Sequence, residues 1–486
     1  MKHTLLAGPV VAAVLTACGG MTGPVIADDH AHDFGARVEH LLHAQSEKLF
    51  GFEKPLHASA PVTNGVYRAV AQTAKDQVLL AQGLKAEYLT RNAANATDMM
   101  AFYPAAHPTH LISCVEGARA EIVPGKFNPS IQRINLATGQ VETLLRGMDA
   151  CDGIRTTPWG TILATEERGD GGAYEIRDPL NVTNQTVTDR AVGTVTDPAH
   201  IAKRPALPTM AWEGLIVLPS GVVIAGDELR SGSATPDADG GAIFKFVPQV
   251  ARTGTANITN LADSPLIAGS VYAMQVSCVN VKTQFGQGCE TGNAAWLLVN
   301  AATARVDADV KGATGYYRPE DLHQDPMYSD LAKPDAVRFC WTNTGNEDAH
   351  NYAEVVCGVD NEPLTADARK RSVVVNRFVE GDKDFNSFDN LDFQPKTGNL
   401  YVLEDHPNGD IFSCLADGAD RDIKTDGCVK MLSVKDSSAE PTGFIFSSDG
   451  TTAYVSIQRS DDTAMPKMDD YGTDDVIKIT GFKVEK

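Results

Sequence analysis

The chain repeats one short plan at least five times along its length. In each copy an acidic residue opens an apolar strand, a turn containing Pro or Gly follows, and a second strand ends in polar or acidic residues. The clearest copies span 152–167, 213–228 and 389–405, and looser copies begin at Glu320 and Glu440. Short strands with Gly turns indicate a propeller or a sandwich, and five or more similar units favour the propeller. We therefore predict an all-β fold, a β-propeller of about six blades of antiparallel sheet.

Hairpin geometry predicts where the acidic residues of each copy lie. The start of the first strand and the end of the second share one end of an antiparallel hairpin. If the first strand is innermost in its blade, the carboxylates of all copies converge at one mouth of the central channel. Carboxylates so crowded raise one another's pKa, and bound cations would relieve the repulsion. Many oxygen ligands with few His favour calcium over zinc. The alternative is that these residues are solvated, or accept hydrogen bonds from turn N–H groups.

The overall charge limits the partners of the chain. Its formal net charge is −21, which disfavours nucleic acid and anionic lipid as partners. The same charge opposes anionic substrates unless bound cations reverse the local field.

The N-terminus has the features of an exported lipoprotein. A basic start precedes an apolar run over 5–16, which is too short to span a bilayer and suits a signal peptide. The run ends in Leu-Thr-Ala-Cys, which resembles the bacterial lipobox and implies cleavage before Cys18 and lipidation of that residue. We expect a protein held in the bacterial cell envelope, in the periplasm or at the cell surface, with the lipid as its only membrane contact. The alternative is an ordinary signal peptide with an incidental cysteine.

These features divide the chain into three parts. Residues 1–17 are the predicted lipoprotein signal peptide, and 18–60 are a tether with a short helix, for which 33–50 carries the best helical pattern. We expect 61–486 to form the propeller as one domain, because repeated units bury their apolar faces on one another.

The cysteines predict a disulfide framework. Without Cys18, eight remain, an even number in an oxidising compartment, and no C-x-x-C is present. If cysteines that are close in sequence pair, two cysteines remain, and these can pair with each other. The expected pairs are Cys278 with Cys289, Cys340 with Cys357, Cys414 with Cys428, and Cys114 with Cys151.

Several repeat segments resemble one known family. Thr157-Pro158-Trp159-Gly160-Thr161 followed by Glu166-Glu167 is similar to the TPWGT…EE motif of the PhoX family of calcium-dependent alkaline phosphatases. Other segments match that family in the same order: Glu213 with Gly226-Asp227-Glu228, Arg318-Pro319-Glu320 with Thr342-Asn343, and Glu440-Pro441-Thr442-Gly443-Phe444 with Ser456-Ile457-Gln458. The resemblance implies a propeller with calcium and iron ions in its channel, which hydrolyses phosphate monoesters outside the cytoplasm.

Carried over position by position, the resemblance implies a set of site residues. The metal ligands would be Glu167, Glu213 and Glu320, with Asp389 and Asn343 as further ligands. Arg155, Arg168 and Arg318 lie beside the motifs, and such an arginine, Arg155 or Arg318, would help hold the phosphate oxygens of the substrate. The alternative is that these arginines are solvated. The family places an iron-bound thiolate shortly before TPWGT, but a disulfide sulfur is not a thiolate ligand. A bond between Cys151 and Cys114 would therefore disfavour Fe³⁺ and leave Ca²⁺ as the expected cofactor.

Three functions remain in competition. The first is a metal-dependent phosphomonoesterase acting on small phosphoesters. The second is a calcium-dependent lactonase or other esterase, since carboxylate-lined propellers support several hydrolytic reactions. The third is a non-catalytic surface binding protein, in which calcium and disulfides stabilise the scaffold. Hydrolysis of phosphoesters, hydrolysis of lactones, or calcium binding without turnover would separate them.

Overall fold

The computed structural model describes residues 34–63, 67–230, 240–276, 290–346, 351–416 and 427–484. The predicted signal peptide, Cys18 and the expected pair Cys278 and Cys289 lie outside these ranges. Helices are few: α1 (Phe34–Ala44), α2 (Ser46–Phe50), α3 (Ala74–Gln77) and α4 (Ala304–Lys311), with 3₁₀ turns at Leu261–Asp263, Pro265–Ile267 and Ala301–Thr303. Within the described part of the chain, none of the helices has the length and apolar character needed to cross a bilayer.

Two strands precede the repeats, and the first two blades follow them. The early strands are β1 (Val78–Leu80) and β2 (Lys85–Ala94). Blade one contains β3 (Thr97–Tyr103), β4 (His110–Val115), β7 (Pro129–Asn135) and β8 (Val141–Arg146), with a small hairpin of β5 (Glu121–Val123) and β6 (Lys126–Phe127). Blade two contains β9 (Cys151–Thr156), β10 (Thr161–Glu166), β11 (Ala173–Arg177) and β14 (Ile201–Lys203), while β12 (Gln185–Asp189) and β13 (Thr194–Val195) extend blade one.

Blades three and four are joined in one nine-stranded sheet. Blade three contains β15 (Trp212–Val217), β16 (Val223–Asp227), β17 (Ile243–Pro248) and β18 (Gly269–Val276), and β19 (Gly292–Val299) follows at its outer edge. Blade four contains β20 (Pro319–Gln324), β21 (Val337–Asn343), β22 (Glu354–Asp360) and β23 (Val373–Glu380). The junction is the pairing of β19 with β23, the outermost strand of blade four.

The last two blades close the molecule with help from the N-terminal strands. Blade five contains β24 (Phe388–Phe393), β25 (Leu400–Glu404), β26 (Asp410–Cys414) and β27 (Val429–Val434), and β1 pairs with β27. Blade six contains β28 (Glu440–Phe446), β29 (Thr452–Gln458) and β30 (Thr473–Thr480), and β2 is its outermost strand. The N- and C-terminal parts of the chain are therefore tied together within one sheet.

The innermost strands form a closed ring, which confirms the propeller. In ring order β3, β9, β15, β20, β24 and β28 each contact the next, and β28 contacts β3. Six apolar clusters lie between successive blades, and the cluster between blades five and six also buries Leu42, Phe50 and Phe52 of the N-terminal segment. Each fully buried Phe or Leu contributes roughly 1.5–3 kcal/mol to folding. β19 joins blades three and four, so the six blades occupy five sheets.

Three of the expected disulfides are present. Cys114 in β4 bonds to Cys151 in β9 and links blades one and two. Cys340 and Cys357 face each other across β21 and β22. Cys414, at the end of β26, bonds to Cys428 just before β27.

Candidate metal centre

Two positions of each blade face one mouth of the channel. One is residue two of the innermost strand. The other is the residue that directly follows the strand paired with it. Acidic residues occupy nine of these twelve positions, and Glu440 at the start of β28 lies among them. We call these ten residues the carboxylate ring: Asp98, Glu116, Asp152, Glu167, Glu213, Glu228, Glu320, Asp389, Asp405 and Glu440.

A bulge in each inner hairpin sets the direction of these side chains. All six inner hairpins shift register next to their ring position, for example between Trp212 and Leu215. A bulge re-aims a side chain relative to a regular strand. Gly153 and Gly214 follow the acidic residues of β9 and β15, and a Cβ at Gly214 would lie 1.8 Å from the Leu322 nitrogen. Glycine is needed there because neighbouring inner strands approach each other so closely.

The ring contains three overlapping triads suited to cations. Oxygen atoms within each triad lie within 4.8 Å of one another, and Asp152 and Glu213 each belong to two triads. The triads are Asp98–Glu116–Asp152, Asp152–Glu167–Glu213 and Glu213–Glu320–Asp389. Such spacing allows several carboxylates to share one bound cation.

Several buried oxygens of the ring have no hydrogen-bond partner. Asp98 and Asp152 are only 4% and 2% exposed, yet one carboxylate oxygen of each is unsatisfied, as is the amide oxygen of neighbouring Gln458. A buried polar atom without a partner costs about 1–3 kcal/mol. Bound cations would satisfy these oxygens.

The electrostatics of the ring also favour bound cations. Burial, reinforced by the neighbouring carboxylates, raises the pKa of Asp98, Asp152, Glu167, Glu213 and Asp389 well above their usual values. Burial also raises the pKa of Glu320 to about 8 and that of Glu440 to about 7, although nearby arginines oppose the shift. Without cations, the ring can therefore be fully ionised only at a large cost in free energy.

Two arginines contact several carboxylates of the ring. Arg318 donates from Nε to Glu228, and its Nη atoms lie 2.8 Å from Glu320 and 3.0 Å from Asp405. Arg459 contacts Glu440 at 2.7 Å and also donates to Glu116. Both have left-handed backbone, with φ of 53° and 59°, which costs of order 1 kcal/mol at a non-glycine residue. Arg318 thus contacts three carboxylates of the ring, and Arg459 contacts two.

Four of the predicted ligands lie together in the ring, and two other predicted site residues lie outside it. Glu167, Glu213, Glu320 and Asp389 lie together in the triads, and Arg318 lies beside them. Asn343 does not: its amide donates to Glu354 at 3.0 Å and its oxygen accepts from Trp341. Side chains alternate along a strand, so the next residue, Thr344, faces the ring instead and donates to Glu320 at 2.6 Å.

Arg155 also lies outside the ring. It is three residues further along β9 than Asp152, and its Nη2 donates to Asp321 at 2.9 Å and to the Leu322 carbonyl at 3.1 Å. The interpretation of Arg155 as a phosphate-holding residue does not fit this placement.

Asp98, Glu116 and Arg459 also lie at the ring, although no motif in the sequence marks them as site residues. Their signal was positional, because each occupies in its blade the place that Asp152 or Glu167 occupies in blade two. Blade one has no TPWGT-like turn, so its ring residues cannot be recognised from that motif.

The donor set fits hard cations and does not fit an iron–thiolate centre. Every side chain of the triads offers carboxylate oxygen, the donor type that calcium prefers. Cys114 and Cys151, the cysteines of β4 and β9, are bonded to each other. A disulfide leaves no thiolate for iron.

Comparison with known proteins agrees with the fold and the motifs. Residues 222–461 match the family model "Alkaline phosphatase PhoX". This stretch includes Arg318, Glu320, Asp389 and Arg459, whereas the TPWGT segment lies before it. No curated protein matches the chain in a sequence search.

Solved structures with this fold include PhoX of Pseudomonas fluorescens in complex with vanadate, a transition-state analogue. That structure has 15% sequence identity and a TM-score of 0.57, and the alignment covers 86% of this chain and 97% of the other. Two more distant structures are a luciferin-regenerating enzyme (10% identity, TM-score 0.42, covering 83% of this chain and 97% of the other) and the PQQ-bound aldose sugar dehydrogenase of Streptomyces coelicolor (12%, 0.39, covering 82% and 98%). By the sequence of residues 222–461 and by its fold, the chain is thus similar to the PhoX alkaline phosphatases, and the resemblance read from its motifs is confirmed.

Proposed function

We propose that this protein is a calcium-dependent phosphomonoesterase of the PhoX type that acts outside the cytoplasm. The observation that carries the proposal is the carboxylate ring, with three overlapping triads and two arginines at one mouth of the channel. Like charges at this density are stable in the folded protein if cations share them. The segment that contains Arg318 and Arg459 also matches the PhoX family model, which supports the proposal.

Different residues of the site would have different roles in the reaction. The triads would hold the metal, and Arg318 and Arg459 would hold the phosphate oxygens, since guanidinium groups bind them through paired N–H donors. Glu228, Glu320 and Asp405 fix the orientation of the Arg318 guanidinium. Bound metal ions would neutralise the phosphate charge and activate a water as nucleophile. Positive charge at the mouth is needed because the chain as a whole repels anions.

The cofactor we propose is calcium rather than iron. The triads supply oxygen, and Cys151 is bonded to Cys114. The substrate would be a small phosphoester whose phosphate enters the mouth of the channel.

Export and lipid anchoring through Cys18 remain part of the proposal. The support is the sequence of residues 1–18 together with the disulfides, which persist in oxidising compartments.

The test is hydrolysis of p-nitrophenyl phosphate by the purified protein. Activity should be lost on treatment with EGTA and restored by added calcium. Glu213→Gln should lower kcat/KM by about 100-fold or more, because Glu213 serves two triads and even residues behind metal ligands change affinity or activity 10–100-fold. Glu87→Gln, an exposed strand glutamate, is the matched control and should have wild-type activity.

The competing functions give other outcomes. Hydrolysis of lactones with no hydrolysis of phosphoesters would replace the proposal with an esterase. Calcium binding that raises the melting temperature without turnover of either substrate would identify a non-catalytic propeller.

A further inference from the structure

A second polar layer crosses the central channel beyond the carboxylate ring. Arg155, His323 and Asp392 are each the fifth residue of their innermost strands, β9, β20 and β24. Three residues of strand, roughly 10 Å, separate them from Asp152, Glu320 and Asp389 of the ring. Asp321, the residue after Glu320, joins this layer. We call Arg155, Asp321, His323 and Asp392 the channel network.

Asp321 is the centre of the channel network. It is 1% exposed, and its Oδ1 accepts from Arg155 at 2.9 Å while its Oδ2 accepts from the backbone N–H of Leu391 at 3.2 Å. One carboxylate therefore ties β20 to β9 and to β24. Burial would raise the pKa of Asp321, but His323 and Arg155 outweigh it and hold that pKa below its usual value.

His323 and Asp392 extend the network to a fourth strand. The two ring nitrogens of His323 lie 3.1 Å from Asp321 and 3.2 Å from Asp392. Asp392 Oδ2 in turn accepts from the backbone N–H of Phe446 in β28 at 2.7 Å. The network thus joins β9, β20, β24 and β28, four of the six innermost strands.

The channel network is nearly charge-balanced, and its members contact one another. Two carboxylates face one guanidinium and one imidazole, so the layer is close to neutral when His323 is protonated. Arg155 already donates to Asp321 and to the carbonyls of Leu322 and Ile154. Its charged groups are therefore paired with one another, unlike the crowded carboxylates of the ring.

We propose that the channel network positions the ring carboxylates Asp152, Glu320 and Asp389 for calcium, and that Arg155 is a positioning residue without contact to substrate. This inference rests on the proposed metal binding by the ring. Those three carboxylates sit on the strands that the network joins, and triad oxygens must stay within 4.8 Å of one another. Partners behind metal ligands commonly change metal affinity by 10–100-fold.

The test is calcium affinity, measured by titration calorimetry on the purified chain after removal of metal. Arg155→Lys keeps the charge but cannot reproduce the forked contact, and Asp321→Asn removes the central carboxylate. We expect each variant to bind calcium about 10-fold more weakly, with KM for p-nitrophenyl phosphate at saturating calcium unchanged. Melting curves in EGTA would establish that both variants are folded at the titration temperature.

The matched control is another buried ion pair. Lys245 and Asp360 join blades three and four at 2.7 Å, with both side chains fully buried. Lys245→Met should lower the melting temperature and leave calcium affinity unchanged, which separates general stability from positioning.

Other results would overturn the proposal. A raised KM with unchanged calcium affinity in Arg155→Lys would make Arg155 a substrate-binding residue. Unchanged affinity and KM in both variants would make the network purely structural. Weaker calcium binding in the variants of a protein that hydrolyses no phosphoester would support the network and refute only the phosphatase function.

Discussion

The metal-free protein should lose stability as the pH rises from about 5 to about 8, and Glu320 should be a main cause. Burial raises the pKa of Glu320 from 4.5 to about 8 in the folded protein, against the attraction of Arg318. Between these values the folded state binds more protons at Glu320 than the unfolded state does. The free energy of unfolding therefore falls with rising pH across this window.

The size of the effect follows from the shift. Each pKa unit corresponds to 1.36 kcal/mol, so a shift from 4.5 to about 8 corresponds to about 5 kcal/mol once the pH exceeds both values. Glu320→Gln cannot ionise and should be spared this loss. In EGTA the variant and the wild type should have similar stability near pH 5, and the variant should be more stable at pH 8 by up to this amount.

Urea denaturation followed by tryptophan fluorescence, at several pH values in EGTA and in calcium, would measure the difference. Calcium should abolish or reverse the advantage of Glu320→Gln, because it stabilises the ionised carboxylate. Glu87→Gln should follow the wild type at every pH. Two results together would refute the crowded, buried ring. The stability of the wild type in EGTA would stay constant or rise from pH 5 to pH 8, and the difference in stability between the wild type and Glu320→Gln would not change.

Two further predictions concern the frame of the ring. Replacing both Cys114 and Cys151 by Ala opens a bridge between residues 37 apart and should cost about 4 kcal/mol of stability in denaturant, while elemental analysis of the folded variant should find calcium as in the wild type. Gly214→Ala should cost about 3 kcal/mol, because its Cβ would meet the Leu322 nitrogen at 1.8 Å. Gly254→Ala should change the melting temperature little, because its Cβ would lie at an ordinary 3.9 Å from Arg252 Nη2, and equal effects of the two substitutions would contradict the close approach of β15 and β20.

The parts of the fold that depend on local pattern were predictable from the sequence. A hairpin brings its own two ends together whatever the rest of the chain does, so the pairing of Glu213 with Glu228 in one blade follows from the repeat itself. The pairs Cys340–Cys357 and Cys414–Cys428 are likewise neighbours across one hairpin connection.

The placement of side chains was not predictable where the site depends on side-chain direction and on distant strands. Asn343 matched a motif, but the bulge between Pro319 and Leu322 and the strand alternation turn Thr344 to the ring instead. Arg155 stands close to the TPWGT segment, yet its partner Asp321 comes from β20, two blades away around the ring. Contacts of this kind are set by closure of the propeller, which no local pattern encodes.

The most direct test of the central claim is elemental analysis of the purified protein together with a thiol count on Cys114 and Cys151 under denaturing conditions. The account predicts at least one tightly bound calcium per chain, no stoichiometric iron, and neither cysteine free. Stoichiometric iron with a free thiol at Cys151, or no bound metal in a folded and calcium-supplied protein, would contradict the oxygen-only calcium centre.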